Sequence, residues 1–331
     1  MDQKKKLIDI LFIGHLAIDS IIRFKAARSP TLGGSVSYGS VALSCYTDQV
    51  KIGIVSNLGS KNFKKELLDQ LKMKKIDLEG IKWFDTLNTN FVLDYQDHSR
   101  TLTLKSKSPN LEFKDLPDSY IHFPPEIVVL VPLCNEISYD YVKKITETFP
   151  KAYFGIDIQG FIRNIDINGN VSYIIDKDLI KNLKRIIHLV GDKLILKGSE
   201  IEMKLVSREN NLIKVMEYFK KFDNEGIYIM TLGESGSLIM KKGHDILKIP
   251  AFKSKTVTDE TGAGDVYLAI FLYELFNSDR SWRSIKKAGL IASSGASFLI
   301  EKEGPSGCES KEKVINRVNE KNYIKDQNAY K

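Results

Sequence analysis

The stretch Thr258-Asp259-Glu260-Thr261-Gly262-Ala263-Gly264-Asp265 leads directly into the apolar run Val266–Phe276. The run has the length and composition of a buried helix, so the glycines fall at the start of that helix. Glycine lets a backbone pass close to a ligand, and the first turn of a helix presents free N–H groups and the positive end of its dipole. The stretch therefore predicts an anion site at Gly262 and Gly264 that suits a phosphate group.

Asp265 falls in the first turn of this predicted helix, beside the anion site. A carboxylate there could take a proton from a hydroxyl that attacks a phosphate. Acidic residues in a first turn also commonly cap the helix or interact with its dipole, and spacing alone does not decide between these two interpretations. The pattern is not a Walker loop, because no Gly-Lys-Ser/Thr follows, and it lacks the third glycine of a dinucleotide-binding fingerprint.

The rest of the chain alternates between predicted strands and predicted helices. Short apolar runs rich in β-branched residues predict strands at 7–13, 51–56, 127–131, 152–156, 193–196, 227–231 and 237–240. Helical patterns occur at 61–74, 138–149, 210–222, 262–276 and 284–300. This alternation predicts an α/β fold with a mainly parallel central sheet that is covered by helices on both faces.

Two segments, about 18–34 and 88–105, interrupt the alternation. The second contains two short strand-like runs, 91–95 and 101–104, on either side of the turn-forming Asp97-His98-Ser99. The segments predict either a small β lid at one end of the sheet or a pair of surface hairpins. Residues 309–331 are polar and predict a tail or a surface helix, which leaves 1–308 for the main domain.

Composition excludes several classes of protein. The chain has 331 residues, of which 43% are hydrophobic and 27% charged, as in a globular protein. No apolar run is long enough to span a membrane, so we expect no membrane partner and a cytoplasmic location. Three dispersed cysteines suggest neither a disulfide framework nor a zinc site. The net charge of +7 comes from lysines mixed with acids along the chain, so we expect no nucleic-acid partner.

The segment Asp259–Asp265, which reads Asp-x-Thr-Gly-Ala-Gly-Asp, resembles the signature of the ribokinase (PfkB) carbohydrate kinases. The resemblance extends from Ile8 to about Gly307. It implies a ribokinase-like three-layer sandwich with a β lid, ATP as donor and Mg²⁺ as metal. It leaves ADP open as an alternative donor and is compatible with a monovalent cation. In that family the glycine turn is the anion hole and the last aspartate is the catalytic base, which carries over to Thr261, Gly262, Ala263, Gly264 and Asp265.

Further landmarks of the family follow in the expected order. Asp19 resembles the early aspartate that binds substrate hydroxyls, and Gly33-Gly34 resembles the substrate loop, although Tyr38 stands where members often have asparagine. Ser199 and Glu202 resemble the Asn-x-x-Glu element that organises magnesium and phosphate, with serine in place of asparagine. The residues that the resemblance assigns to the nucleotide are Lys197, Ser199, Thr231, Gly233, Gly236, Thr261 and Ser293.

The segment Ile156–Arg163 indicates the acceptor, because it follows a predicted strand and should lie at the carboxyl edge of the sheet. Asp157, Gln159 and Arg163 would suit hydroxyls and phosphate there. Alternatively, Asp157 caps the turn and Arg163 is solvated.

Together with the segments that contain Ser37 and Lys197, this stretch resembles the myo-inositol kinase branch of the superfamily, and the resemblance assigns Ser37 to the substrate. The resemblance implies a sugar or cyclic polyol acceptor, with myo-inositol first, and it is compatible with a homodimer through the β lid. Ribokinase, fructokinase and nucleoside kinase activities stay open, as does a non-catalytic regulatory protein of this fold that binds ligands.

Overall fold

The computed structural model describes residues 7–23, 26–27, 31–96 and 99–324. The strands, in chain order, are β1 Ile10–Ile13, β2 Ala17–Arg23, β3 Ala26–Ala27, β4 Thr31–Gly33, β5 Ile52–Gly59, β6 Asp77–Phe84, β7 Asn90–Gln96, β8 Ser99–Ser106, β9 Ile127–Leu130, β10 Tyr153–Asp157, β11 Asn164–Ile165, β12 Val171–Ser172, β13 Leu194–Ser199, β14 Ile227–Thr231, β15 Ser237–Lys241 and β16 Leu247–Ile249.

The α-helices, in chain order, are α1 Ser35–Tyr46, α2 Asp69–Met73, α3 Asp118–His122, α4 Tyr139–Thr148, α5 Gln159–Ile162, α6 Lys177–Val190, α7 Glu200–Ser207, α8 Leu212–Phe219, α9 Ala263–Phe276, α10 Trp282–Leu299 and α11 Lys311–Glu320. Within the described residues, no helix combines the length and the apolar character needed to cross a membrane.

The chain divides into two compact units, and each is described by itself. Unit 1 comprises Met1–Ser37, Lys51–Ala152 and Gln159–Ile186, and unit 2 comprises Tyr38–Val50, Tyr153–Ile158 and Ile187–Lys331. The chain therefore passes between the units five times, within α1, before β5, on either side of β10 and within α6.

Unit 1 contains a parallel sheet with the strand order β9-β1-β5-β6. Strands β1 and β9 are buried along their whole length, as expected for apolar runs in a sheet that is covered on both faces. Because the strands are parallel, the loops that follow β1 and β9 leave the sheet at the same edge. These loops carry His15 and Glu136.

A second sheet in unit 1 has the order β3-β2-β7-β8, with β4 paired to β2. We call it the lid sheet. Its strands fall in the two segments that interrupt the alternation of strands and helices. Of the predicted turn Asp97-His98-Ser99, the first two residues lie outside the described residues, and Ser99 is the first residue of β8. Ala17, Phe91 and Leu93 of the lid sheet pack with Leu133 and Cys134 in a buried apolar cluster.

Unit 2 contains a sheet with the order β16-β15-β14-β13-β10, in which β10, β13 and β14 are parallel and the last two strands antiparallel. Helix α9 is apolar on all sides and buried from Val266 to Phe271. It packs closely on β10, because a side chain at Gly155 would lie 2.4 Å from Leu272 Cδ1. The predicted α/β class with a mainly parallel sheet is confirmed.

One predicted helix was too long. The pattern at 61–74 is helical only from Lys65 to Met73, where a 3₁₀ turn leads into α2. The backbone N–H of Lys61 bonds to the carbonyl of Thr86, so the start of the segment contacts the loop between β6 and β7. The strand β6 that follows mixes apolar and charged residues, and only one of its eight residues is fully buried, so its sequence lacked the continuous apolar run of the central strands.

Candidate functional site

The glycine turn lies at the start of α9, as the sequence predicted. Gly262 is the N-cap residue and has a φ of 82°, in the left-handed region that favours glycine. A side chain at Gly262 would lie 2.1 Å from Cδ1 of Tyr38, so the tyrosine ring packs directly against the turn. Asp265 is in the first turn of α9. Carboxylate and helix N-terminus are therefore adjacent, which is the arrangement that base catalysis at a bound phosphate requires.

A buried cation lies beside this helix start. Lys197 on β13 forms an ion pair with Asp157, its register partner on β10, and both side chains are buried. The ammonium also lies close to Gly264, because a Cβ there would be 2.5 Å from Nζ. Burial lowers the pKa of Lys197, but the negative charges of Asp157, Asp265 and Glu202 outweigh it and raise that pKa overall. Lys197 is therefore charged at neutral pH and can neutralise an anion at the helix start.

The predicted magnesium residue forms part of a helix cap. Glu202 is buried and accepts a hydrogen bond from the backbone N–H of Ser199 at 2.7 Å, while the Ser199 hydroxyl accepts one from the N–H of Glu202 at 3.4 Å. This reciprocal capping box starts α7. A carboxylate suits Mg²⁺, which prefers hard oxygen ligands and often binds through water. Glu202 is therefore of a residue type that fits the metal, and it also caps α7.

A cavity of about 420 Å³ opens next to Gly264 in unit 2. It is lined by four of the residues assigned to the nucleotide, which are Thr231, Gly233, Gly236 and Ser293. Apolar side chains, among them Phe252, Val257 and Ile300, form much of its wall. The cavity thus joins an apolar space to the predicted anion site. A nucleotide would match it, because its base is largely apolar and its phosphates are anionic.

Two of these residues also have local structural roles. Gly236 has a φ of 85°, and a Cβ there would lie 2.0 Å from the carbonyl oxygen of Ile249, so the turn requires glycine for packing. The Ser293 hydroxyl donates to the carbonyl of Pro250 at 2.7 Å. In contrast, the buried hydroxyl of Thr261 has no hydrogen-bond partner among the described residues.

In unit 1 the predicted acceptor residues form two groups. In the first group, Asp19 on β2 lies against the substrate loop, because a Cβ at Gly33 would be 2.0 Å from Asp19 Oδ2. Gly34 has a φ of 90°. The Ser37 hydroxyl hydrogen-bonds to the carbonyls of Gly33 and Gly34, so this side chain holds the loop instead of pointing away from it. The loop leaves room for the Asp19 carboxylate only because residue 33 is glycine.

The second group is an internal chain of hydrogen bonds. Gln159 donates to the Ser35 hydroxyl at 2.7 Å and accepts from Arg163 at 2.9 Å. Arg163 is buried and also donates to the carbonyl of Leu133 at 2.9 Å. Solvation of Arg163, the alternative interpretation, is therefore wrong. Its main described contacts link α5 to the loop that follows β9. Asp157, assigned with these residues from sequence, pairs with Lys197 in unit 2.

Three contributions could not be read from motifs. The ring of Tyr38 against Gly262 and the apolar cavity wall at Phe252 and Val257 belong to no recognised pattern. Glu136 is fully buried and accepts backbone hydrogen bonds from His15, Leu133 and Cys134. Glu136 lies six residues after the end of β9 and belongs to no recognised motif, so no local pattern identified it.

Comparison with known proteins gives a consistent result. The profile described as "pfkB family carbohydrate kinase" matches residues 41–312. A nucleoside kinase from Methanocaldococcus jannaschii is 34% identical over 114 residues, which is 34% of this chain and 35% of that protein. The chain therefore aligns with about a third of the length of this curated relative. A cytidine kinase from Thermococcus kodakarensis is 21% identical over 80% of this chain and 88% of its own length.

Solved structures show the same fold. A pyrophosphate-dependent kinase of the ribokinase family, in complex with a pyrophosphate analogue and myo-inositol, has a TM-score of 0.69 at 20% identity, covering 89% of this chain and 96% of its own. A fructokinase from Vibrio cholerae with bound fructose, ADP and calcium has a TM-score of 0.72 at 15% identity, covering 94% of this chain and 99% of its own. At these identities the likeness establishes the ribokinase-like fold alone.

Proposed function

Because the chain belongs to the pfkB family of carbohydrate kinases, we propose that it transfers the γ-phosphate of ATP to a hydroxyl of a small sugar or cyclic polyol, with myo-inositol as first candidate. The observation that carries this proposal is the position of Asp265 in the first turn of α9, directly after the glycine turn and near the ammonium of Lys197. A base, an anion site and a fixed cation are the groups that phosphoryl transfer needs.

Asp265 acts as the general base. Its carboxylate takes the proton of the attacking hydroxyl as the bond from oxygen to phosphorus forms, and ADP leaves with the electron pair of the broken bond. Positioned proton transfer of this kind contributes about 10²- to 10⁴-fold to a rate. The N–H groups at the start of α9 and the ammonium of Lys197 stabilise the negative charge on the transferring phosphoryl group.

The apolar cavity favours a nucleotide as donor. Its wall of Phe252, Val257 and Ile300 can hold a base, with Gly264 at the end where the phosphates would lie. A pyrophosphate donor would leave this apolar wall without an occupant. When magnesium is bound, Glu202 is the residue that would hold it, directly or through water, and the metal would neutralise phosphate charge.

Asp19 is the acceptor residue that the local geometry supports best. It is largely buried and lies against Gly33, and a carboxylate can accept hydrogen bonds from two neighbouring hydroxyls. Vicinal diols occur in cyclic polyols, in sugars and in the ribose of nucleosides. A nucleoside acceptor is the second candidate, supported by the nucleoside and cytidine kinases among the relatives. A cytoplasmic location and a homodimer through the lid sheet stay predictions.

Asp265→Asn tests the proposed base. We expect the variant to keep the melting temperature and the ATP affinity of the parent, because asparagine has the same shape, and to lose about 10²- to 10⁴-fold in kcat. The measurement is acceptor-dependent ADP release, together with ATP binding by calorimetry. Asp279→Asn, which changes an exposed aspartate just after α9, is the matched control and should retain parent activity. Parent-level kcat in Asp265→Asn would remove Asp265 from the role of base.

A further inference from the structure

A buried polar cluster occupies the base of the lid sheet in unit 1. Its members are Glu136, His15 and Thr89, all fully buried. His15 lies between β1 and β2, Thr89 directly precedes β7, and Glu136 lies in the loop that follows β9. The chain enters the lid sheet at the first two of these places, so the cluster lies where the lid strands join the rest of unit 1.

Glu136 binds backbone groups from two loops. Its Oε1 accepts from the N–H of His15 at 3.1 Å and of Leu133 at 2.9 Å, and its Oε2 accepts from the N–H of Cys134 at 2.8 Å. Burial raises the pKa of Glu136, but the backbone N–H groups that bond to its carboxylate act in the opposite direction, and the pKa is lowered overall. Glu136 is therefore ionised at neutral pH and ties the loop after β1 to the loop after β9.

The ring of His15 extends this link to the lid hairpin. Nε2 lies 3.0 Å from the carbonyl of Pro109, which can only accept, so Nε2 carries the hydrogen. Nδ1 then accepts from the Thr89 hydroxyl at 2.8 Å, and that hydroxyl also accepts from the N–H of Ser108 at 3.0 Å. Residues on both sides of the β7–β8 hairpin are thus held by one neutral histidine, whose pKa burial lowers.

The same loops contact the acceptor residues. The carbonyl oxygen of His15 would lie 2.6 Å from a Cβ at Gly34, so the substrate loop packs against it. The carbonyl of Leu133 accepts from Arg163 at 2.9 Å. Asp19 follows His15 by four residues on β2, whose N–H at Ile18 bonds to the carbonyl of Thr89 at 2.8 Å. Any shift of the cluster would therefore move the elements that carry the acceptor site.

We infer that Glu136, acting with His15 and Thr89, is a positioning residue that fixes Asp19, the Gly33-Gly34 loop and Arg163 relative to one another in unit 1. The inference rests on the proposed function for the identity of the acceptor site. Glu136 does not contact the acceptor in this account; it acts through backbone groups.

A metal centre is the competing interpretation. Nδ1 or Nε2 of His15, Sγ of Cys134 and a carboxylate oxygen of Glu136 lie within 4.8 Å of one another. However, both ring nitrogens of His15 and both oxygens of Glu136 already have hydrogen-bond partners at 2.8–3.1 Å. Metal binding would break several of these bonds, so the contacts favour a hydrogen-bonded anchor.

Glu136→Gln is the direct test. The amide nitrogen cannot accept the N–H groups that one carboxylate oxygen accepts, so the loops should loosen. We expect the acceptor KM to rise roughly 5- to 100-fold, which corresponds to one or two lost buried hydrogen bonds, while the ATP KM stays within about twofold. Amide hydrogen exchange should accelerate at 16–19 and 89–93. An unchanged acceptor KM and unchanged exchange in the folded variant would overturn the inference.

Glu274→Gln is the matched control, because it makes the same chemical change at a largely buried glutamate in unit 2 that binds Tyr46 and Lys311. It should lower the melting temperature without changing the acceptor KM or exchange at 16–19. Equal effects of both variants on acceptor KM would show general destabilisation and would overturn the inference.

Two further measurements keep the test decisive. If Glu136→Gln does not fold, Thr89→Val removes the hydroxyl between His15 and Ser108 at nearly constant volume, and an unchanged acceptor KM in that variant overturns the inference.

Zinc or EDTA should not alter the melting temperature of the parent protein; a zinc-dependent increase that Glu136→Gln abolishes would show a metal centre instead. If the parent phosphorylates no acceptor, the proposed function fails, while the exchange comparison still tests the anchor.

Discussion

Lys197 has two roles in this account. It stabilises the fold through its ion pair with Asp157, and it supplies the positive charge beside the proposed phosphate site. Both side chains are buried, with 7% and 1% of their surface exposed. Removing one partner of such a pair leaves a buried charge without compensation, whereas an exposed pair contributes little. The fixed ammonium beside Gly264 therefore depends on Asp157, and we expect Asp157 to matter for turnover even though it lies on the neighbouring strand.

Lys197→Met should lower the free energy of unfolding by about 3–5 kcal/mol, because it leaves the carboxylate of Asp157 buried and unpaired. The double variant Lys197→Met/Asp157→Asn should recover much of this loss. Urea unfolding at pH 7 gives both values. Lys242→Met, which breaks the exposed pair with Asp223, is the control and should change stability little. A loss no larger for Lys197→Met than for Lys242→Met would contradict the structural role of the pair.

Single residues also show where sequence reasoning ends. The glycine turn and Asp265 could be predicted because the chemistry and the helix start are local in sequence. The hydrogen bonds of Gln159 and Arg163 could not, because their partners Ser35 and Leu133 are 124 and 30 residues away. The same distance in sequence concealed the link from Glu136 to His15, since only the fold brings the two loops together.

At the level of the element, the start of α9 depends on a backbone conformation. Gly262 has positive φ and is in contact with Tyr38, whereas Gly264 has no positive φ and instead faces Lys197. A substitution at position 262 would therefore strain the backbone, whereas a substitution at position 264 would displace the ammonium of Lys197.

Gly262→Ala should be more destabilising than Gly243→Ala. The two glycines have φ values of 82° and 80°, so both substitutions introduce the same backbone strain, about 1–2 kcal/mol. Only position 262 adds a clash, because its Cβ would meet the Tyr38 ring while nothing lies within 4 Å at Gly243. Thermal unfolding of the two variants measures the difference. Equal melting temperatures would show that Tyr38 does not pack against the turn.

Among the secondary structure elements, buried parallel strands were the most predictable. The sequence predicted 227–231 and the structure has β14 over the same residues, because a short apolar run with β-branched residues has few other uses. The pattern at 61–74 predicted a helix from Lys61, whereas the structure is helical only from Lys65 to Met73, and the N–H of Lys61 bonds to the carbonyl of Thr86. Local pattern predicts an element well where burial decides it, and it predicts the ends of an element less well, because contacts distant in sequence also decide where the ends fall.

At the level of the whole molecule, the family follows from a profile match over residues 41–312, and the fold agrees with kinases that were solved with different bound ligands. A shared fold does not determine which molecule a protein acts on, because the side chains of the site do.

The most direct test of the central claim is ADP formation by the intact protein with ATP and Mg²⁺, measured with and without myo-inositol, ribose, fructose and nucleosides, with pyrophosphate as the alternative donor. We predict ADP formation that depends on one of these acceptors and transfer of labelled γ-phosphate to it, with no product from pyrophosphate. Tight ATP binding without acceptor-dependent ADP formation for any of these compounds, or turnover with pyrophosphate alone, would contradict the account.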